Sequence, residues 1–87
     1  MVPTLKALAD ETRLRIASLL RRFELSVGEL SRVLDMGQSR VSRHLKILTD
    51  ADILGCRPAG LHRLYRTLDH PLIRAITPLL EESLAHI

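Results

Sequence analysis

A small, mainly α-helical domain with one β-hairpin is the fold class this sequence predicts, and three observations predict it. Five stretches with apolar residues at three- and four-residue spacing fill most of the 87 residues. Between residues 53 and 68 that period gives way to two short runs around a Pro-Ala-Gly turn. One Tyr, one Phe and no Trp leave a core of Leu, Ile, Val and Ala, a composition that favours helices.

The elements follow in order. Pro3 suits the first turn of a short helix with Leu5 and Leu8 on one face. Asp10 is placed as N-cap of a helix over 11–22, whose broad stripe of Leu14, Ile16, Ala17, Leu19 and Leu20, extended by Phe23, marks the buried centre of the domain. Ser26-Val27-Gly28-Glu29 has the form of a capping box and starts a short helix to Leu34, with Val27, Leu30, Val33 and Leu34 facing inward. Asp35-Met36-Gly37 breaks the pattern, with Gly37 able to cap or turn without steric cost, and the next helix runs from Gln38 to Asp50. Two short helices joined by a three-residue turn make a helix-turn-helix.

Ile53–Arg57 reads as a strand, Pro58-Ala59-Gly60 as a turn and Leu61–Leu68 as the returning strand. A hairpin in that place is the wing of a winged helix-turn-helix. Asp69 and Pro71 start the last helix, where Ile73, Ile76, Leu80, Leu84 and Ile87 keep a 3–4 pattern, Leu72, Ala75 and Leu79 widen it, and Pro78 predicts a kink. That face is wider than one small domain needs. It points to a homodimer pairing through the terminal helices; folding back onto its own domain is the alternative. The expected order is α-α-α-α-β-β-α, one domain over 1–87.

The 36–48 segment carries the functional signal. Val41, Leu45 and Leu48 form an apolar back, while Gln38, Ser39, Arg40, Ser42, Arg43 and Lys46 occupy the front. Amides and guanidinium groups suit base edges; hydroxyls and cations suit phosphates. A solvated basic helix face is the competing reading of this helix taken alone. Charge distribution bears on the choice. Residues 38–66 hold six Arg or Lys against two Asp, residues 1–37 six basic against five acidic, and residues 67–87 one basic against three acidic. The positive excess sits on this helix and the hairpin, as an electrostatic footprint for nucleic acid would. On the wing, Arg57, Arg63, Arg66 and His62 are placed for phosphate; solvating a two-stranded sheet is the alternative for each. Few aromatics argue against RNA and single-strand binding.

One cysteine, Cys56, fits a reducing compartment, and no apolar run approaches the ~20 residues of a membrane span. The N-terminus lacks a signal-peptide pattern, so a cytoplasmic location is expected. No catalytic constellation and no Gly-rich phosphate loop appear, so the expectation is that the chain is not an enzyme.

The whole chain resembles the ArsR/SmtB family of bacterial winged-helix repressors, through Leu8-Ala9-Asp10-Glu11-Thr12-Arg13-Leu14-Arg15-Ile16, Glu24–Leu30, Gln38-Ser39, Val41-Ser42-Arg43-His44-Leu45-Lys46, Leu48, Gly60 and Tyr65-Arg66. The resemblance implies a homodimeric transcription factor bound to an inverted-repeat operator, with the 38–50 helix in the major groove. On this basis Gln38, Ser39, Arg40 and Arg43 are expected on bases, and Ser42 and Lys46 on phosphate, joined by Arg57 and Arg63 of the wing. His44 is expected to pack beside the apolar face.

The departures bear on effectors. Family metal sensors open the third helix with a cysteine pair; here those positions are Ser26 and Gly28. A second family site draws four ligands from the last helix; here they read His70, Leu72, Ser83 and His86, two ligands of four. No metal and no cofactor are expected, and His70 is placed as a helix cap. Cys56 alone cannot form the intrachain bridge of redox-sensing members and is expected as a packed side chain, a sensing thiol being the alternative. Two other functions stay open. Some family members continue into an S-adenosylmethionine-dependent methyltransferase, and this chain ends as if inside a helix. A protein-interaction module that no longer binds DNA is the third reading.

Overall fold

In the computed structural model, which describes residues 2–84, three helix starts coincide with side chains that take up orphan backbone N–H groups. The elements are α1 (Val2–Leu8), α2 (Glu11–Arg22), α3 (Val27–Leu34), α4 (Gln38–Asp50), β1 (Leu54–Ala59), β2 (His62–Thr67), α5 (Pro71–Ala75) and α6 (Thr77–Leu84). Asp10 Oδ2 accepts the Arg13 N–H at 3.0 Å. The capping box of α3 is complete: Ser26 Oγ accepts the Glu29 N–H at 3.2 Å, and Glu29 Oε1 accepts the Ser26 N–H at 2.9 Å. Those N–H groups hold both carboxyls below the usual carboxylate range.

Of the two roles expected for Gly37, cap or turn, it takes the first. Gly37 is an ordinary extended N-cap at φ −64°. Asp35 is the residue that turns the chain, in the left-handed region at φ 52°, ψ 51°. Asp tolerates that conformation better than most residues, and the turn is tied by Met36 N–H to Ser31 O at 3.1 Å and by the Ser31 hydroxyl donating to Met36 O.

Ile16 and Leu20 of α2, Leu30 of α3, and Val41, Leu45 and Leu48 of α4 form the centre of an aliphatic core closed by Ile53 and Leu54. Four expected core positions lie outside it. Phe23 is 55% exposed because α2 stops at Arg22 and its extended backbone leaves the helical stripe. Val33 is half exposed because the α3 stripe lies on the Val27–Leu30–Leu34 side. Leu5 is displaced by a face built from Thr4, Ala7 and Leu8, and Leu79 is half exposed.

The first strand of the wing runs through the expected turn. β1 and β2 pair antiparallel from Leu54↔Thr67 to Ala59↔His62, so Pro58 lies within β1, the outer strand, where a missing N–H is tolerated. The turn is Gly60-Leu61, with Gly60 at φ 64° and Leu61 fully exposed. On its other edge β2 is bridged to the α2–α3 connection, Tyr65 N–H to Leu25 O at 2.9 Å and Leu25 N–H to Tyr65 O at 3.2 Å. Thr67 Oγ1 donates to Ala17 O at 2.8 Å, fastening the base of the wing to α2. With α3 and α4 this hairpin completes a winged helix-turn-helix.

The expected single last helix is two. Pro78 cannot donate to the carbonyl four residues back and crowds it, so the helix stops at Ile76 and restarts at Thr77, leaving Pro78 in the first turn of α6. The N-cap of α5 is His70, whose Nδ1 accepts the Leu72 N–H at 3.0 Å, as expected of His70; Asp69 pairs with Arg74 instead of capping. α6 returns along α2, where Glu81 pairs with Arg21 at 2.7 Å and with Arg22. The expected apolar face at Leu80, Leu84 and Ile87, and the Ser83 and His86 positions, lie outside the described side chains.

Candidate nucleic-acid interface

The helical period divides α4 into a back and a front. Val41, Leu45 and Leu48 are buried against the core, which fixes the rotation of the helix about its axis. Gln38, Ser39, Arg40, Ser42, Arg43 and Lys46 are all exposed as a consequence. Arg43 and Ser39 point most directly away from the buried stripe, with Arg40 on one flank and Gln38 and Ser42 on the other. Arg40 and Arg43 make no hydrogen bond or ion pair among the described residues. Lys46 pairs with Asp50 at 3.1 Å, both well exposed, a contact weak enough to open.

His44 lies on the Arg40 flank, half buried, and takes no place on the front. Burial pushes its imidazole below the ordinary value; Arg13, Arg40 and Arg43 act in the same direction and Asp10 opposes them. The neutral ring faces the Arg13 guanidinium, NH1 to Nδ1 at 3.3 Å, so Nδ1 accepts. Arg13 Nε also donates to Ala7 O at 2.5 Å. One arginine of α2 thus braces both the end of α1 and the flank of α4, a role sequence reading did not find.

On the wing, two expected phosphate contacts have partners within the chain. The Arg57 fork closes on Glu24, Nε to Oε2 and NH2 to Oε1, both at 2.9 Å. Those hydrogen bonds hold the Glu24 carboxyl below its usual range. Arg63 donates to Cys56 Sγ at 3.1 Å, a weak acceptor. Arg66 and His62 are exposed. A carboxylate in a guanidinium fork occupies the place a phosphate would take. Glu24→Gln should therefore tighten binding to DNA of any sequence by on the order of twofold to fivefold, the scale of an exposed ion pair. Titration of labelled duplexes checks it. The gain should vanish in an Arg57→Ala background, and weaker binding would show instead that the pair holds the wing in place.

The positions that hold metal in family sensors offer no ligand set here. The Ser26 hydroxyl accepts the Glu29 N–H, Gly28 has no side chain, and His70 Nδ1 is taken by the Leu72 N–H. Among the described residues no three His, Cys, Asp or Glu side chains cluster as ligands would. No helix among the described residues is long and apolar enough to cross a membrane.

Comparison with known proteins agrees with this architecture. The profile of the family described as bacterial regulatory protein, arsR family, matches residues 10–54. An HTH-type transcriptional regulator of Mycobacterium tuberculosis is 46% identical over 61 residues, covering 70% of this chain and 57% of its own length. The transcriptional activator HlyU of Vibrio cholerae is 39% identical over 79 residues, 91% of this chain and 72% of HlyU. The structure of reduced HlyU superposes with a TM-score of 0.81 at 40% identity, covering 93% of this chain and 84% of that one. A Mycobacterium bovis solution structure, described as a homodimeric winged helix-turn-helix DNA-binding domain, has a TM-score of 0.81 at 26% identity and covers 99% of this chain and 82% of that one. The chain spans between about half and three quarters of the length of the curated relatives it matches.

Proposed function

From its place in the arsR family of bacterial regulatory proteins, to which this chain belongs, we propose that it is a homodimeric, sequence-specific DNA-binding regulator of transcription acting in the cytoplasm. The observation that carries the reading is the front of α4. Arg40 and Arg43 stand exposed, and unpaired among the described residues, on a helix whose rotation is fixed by a buried aliphatic back. Such a helix enters a major groove as one rigid body, with Gln38, Ser39, Arg40 and Arg43 on base edges and Ser42 and Lys46 on phosphate. Arg63 reaches the flanking backbone from the wing, and Arg57 does so when it leaves Glu24.

Two copies place their reading helices about 34 Å apart, one turn of DNA, on an inverted repeat. The homodimer of the M. bovis relative supports pairing here, and the terminal helices α1 and α6 are the surfaces we assign to it. A dimer seated on promoter DNA obstructs polymerase, so repression is the expected outcome. Residues 1–87 act as a single DNA-binding domain that works without the cysteine-pair metal site of family sensors, because Ser26 and Gly28 stand in its place.

A gel shift with the promoter DNA upstream of the protein's own gene, run at two salt concentrations, tests the reading. The expected result is a complex that survives excess unrelated duplex and weakens steeply as salt rises, since each neutralised phosphate releases counterions. Absence of a complex at either salt concentration would sink it.

A further inference from the structure

Arg13 joins three helices through one guanidinium. It stands in the first turn of α2, half buried. Its Nε donates to Ala7 O at 2.5 Å and its NH2 reaches Lys6 O at 3.5 Å. Both carbonyls belong to the last turn of α1, where helical donors run out and a cation meets the negative end of the helix. The remaining arm, NH1, lies 3.3 Å from Nδ1 of His44 on the flank of α4. The buried stripe of α4 fixes its rotation, but a slide or tilt of the helix against α1 would leave the same stripe buried. The Arg13 fork removes that freedom, because its nitrogens are held in one plane at fixed spacing. His44 also lines a hollow of about 310 Å³ with Arg40, Arg43 and Ile47, so the ring stays open to protons from solvent.

We propose that Arg13 and His44 are positioning residues that tie the reading helix α4 to α1 at the dimer surface, and that they do so only while the imidazole is neutral. The proposal rests on the reading above, with α4 on bases and α1 in the dimer. In a two-fold dimer the spacing of the two α4 copies follows from where each sits relative to its own α1. The pair therefore sets how well both helices meet two half-sites at once. An imidazolium has no lone pair at Nδ1 to accept with, and it would set a cation against the Arg13 cation. Burial favours the neutral ring, Arg13, Arg40 and Arg43 act in the same direction, and Asp10 opposes them. Those groups face the ring from α2, its cap and α4 itself. From α1 comes Lys6, which lines a groove beside Arg13, while α3 and β1 supply Leu30 and Leu54 to the core behind α4.

The test is the preference for the promoter duplex over an unrelated one, titrated from about pH 8 to about pH 5. Wild type is compared with His44→Asn, His44→Leu and Arg13→Ala. Asn brings an amide oxygen close to the Nδ1 position and does not titrate, so it keeps the acceptor at every pH. It is also the reference that cancels the titration of His62 and other groups. Wild type should match His44→Asn at about pH 8. Below pH 6.5, the ordinary imidazole value, it should fall away, by at most about 100-fold per pH unit for two protons per dimer. His44→Leu and Arg13→Ala should lose preference by on the order of tenfold at every pH, the scale of a lost hydrogen bond to a charged group. Both should follow the pH slope of His44→Asn, remain folded by circular dichroism and remain dimers by sedimentation. Wild type running parallel to His44→Asn throughout would overturn the proposal, as would full preference in His44→Leu or Arg13→Ala. A monomeric Arg13→Ala would make Arg13 a support of α1 alone and overturn the coupling. Wild-type protein with no promoter preference at about pH 8 would instead remove the reading role of α4, and the coupling would fall with it.

Discussion

Leu45→Ala should lower the midpoint of thermal unfolding by about 8–40 °C. Leu45 is 1% exposed and lies between Val41 and Leu48 on the back of α4, against Ile16 and Leu20 of α2. Removing a leucine side chain from such a site costs about 2–5 kcal/mol, through lost transfer energy and the cavity left behind. A domain of this length has roughly 4–13 kcal/mol in total, and each kcal/mol moves the midpoint of a 60–100-residue domain by about 4–8 °C. Val33→Ala is the control, because Val33 is half exposed on a helix of the same motif; its cost should stay near 0.5 kcal/mol. Circular dichroism melts of the two variants decide the point. Equal losses would mean that α4 is not seated by its buried stripe, and the orientation of its front would then lack support.

That stripe also explains why so much of the fold was legible in the sequence. The capping box at Ser26 and Glu29, the Asp10 cap and the extent of α4 depend on residues within one or two turns of each other, and they emerge as read. What was misplaced depends on competition or on distance. Gly37 is the obvious turn residue, yet Asp35 turns the chain because the Ser31–Met36 bonds close the loop one residue earlier. The Pro58 tip reads as a turn, but the outer edge of a two-stranded ribbon tolerates proline, so the hairpin continues to Gly60. Pro78 was read as a kink, while the helix breaks at Ile76, two residues earlier, because the carbonyl it cannot reach belongs to Arg74.

The same division holds for the interface. The front of α4 follows from a single helical period. The Arg57–Glu24 fork joins residues 33 positions apart, and Arg13 and His44 are 31 apart. No local pattern announces such pairs. An exposed arginine in sequence is equally a DNA contact or half of an ion pair, and only the fold distinguishes Arg57, which has a carboxylate, from Arg40 and Arg43, which have none.

Arg40→Ala with Arg43→Ala should abolish discrimination between promoter and unrelated DNA while leaving a folded dimer that still binds both weakly. The two side chains are exposed and unpartnered, so their loss leaves no buried group unsatisfied, and the melting midpoint should stay close to wild type. Each good bidentate base contact is worth about 1–3 kcal/mol of discrimination. Two arginines in each of two protomers therefore account for about 4–12 kcal/mol, comparable to the roughly 4–10 kcal/mol that separates specific from non-specific binding in proteins of this kind. Lys46 and Arg63 remain, and they see phosphates of any sequence, so the residual binding should be salt-dependent and sequence-blind. Competition titrations with the two duplexes, backed by gel filtration of the double variant, read both quantities. If the double variant keeps its preference for the promoter, the bases are read from elsewhere on the molecule, and the front of α4 is then the solvated basic face that its composition alone would also allow.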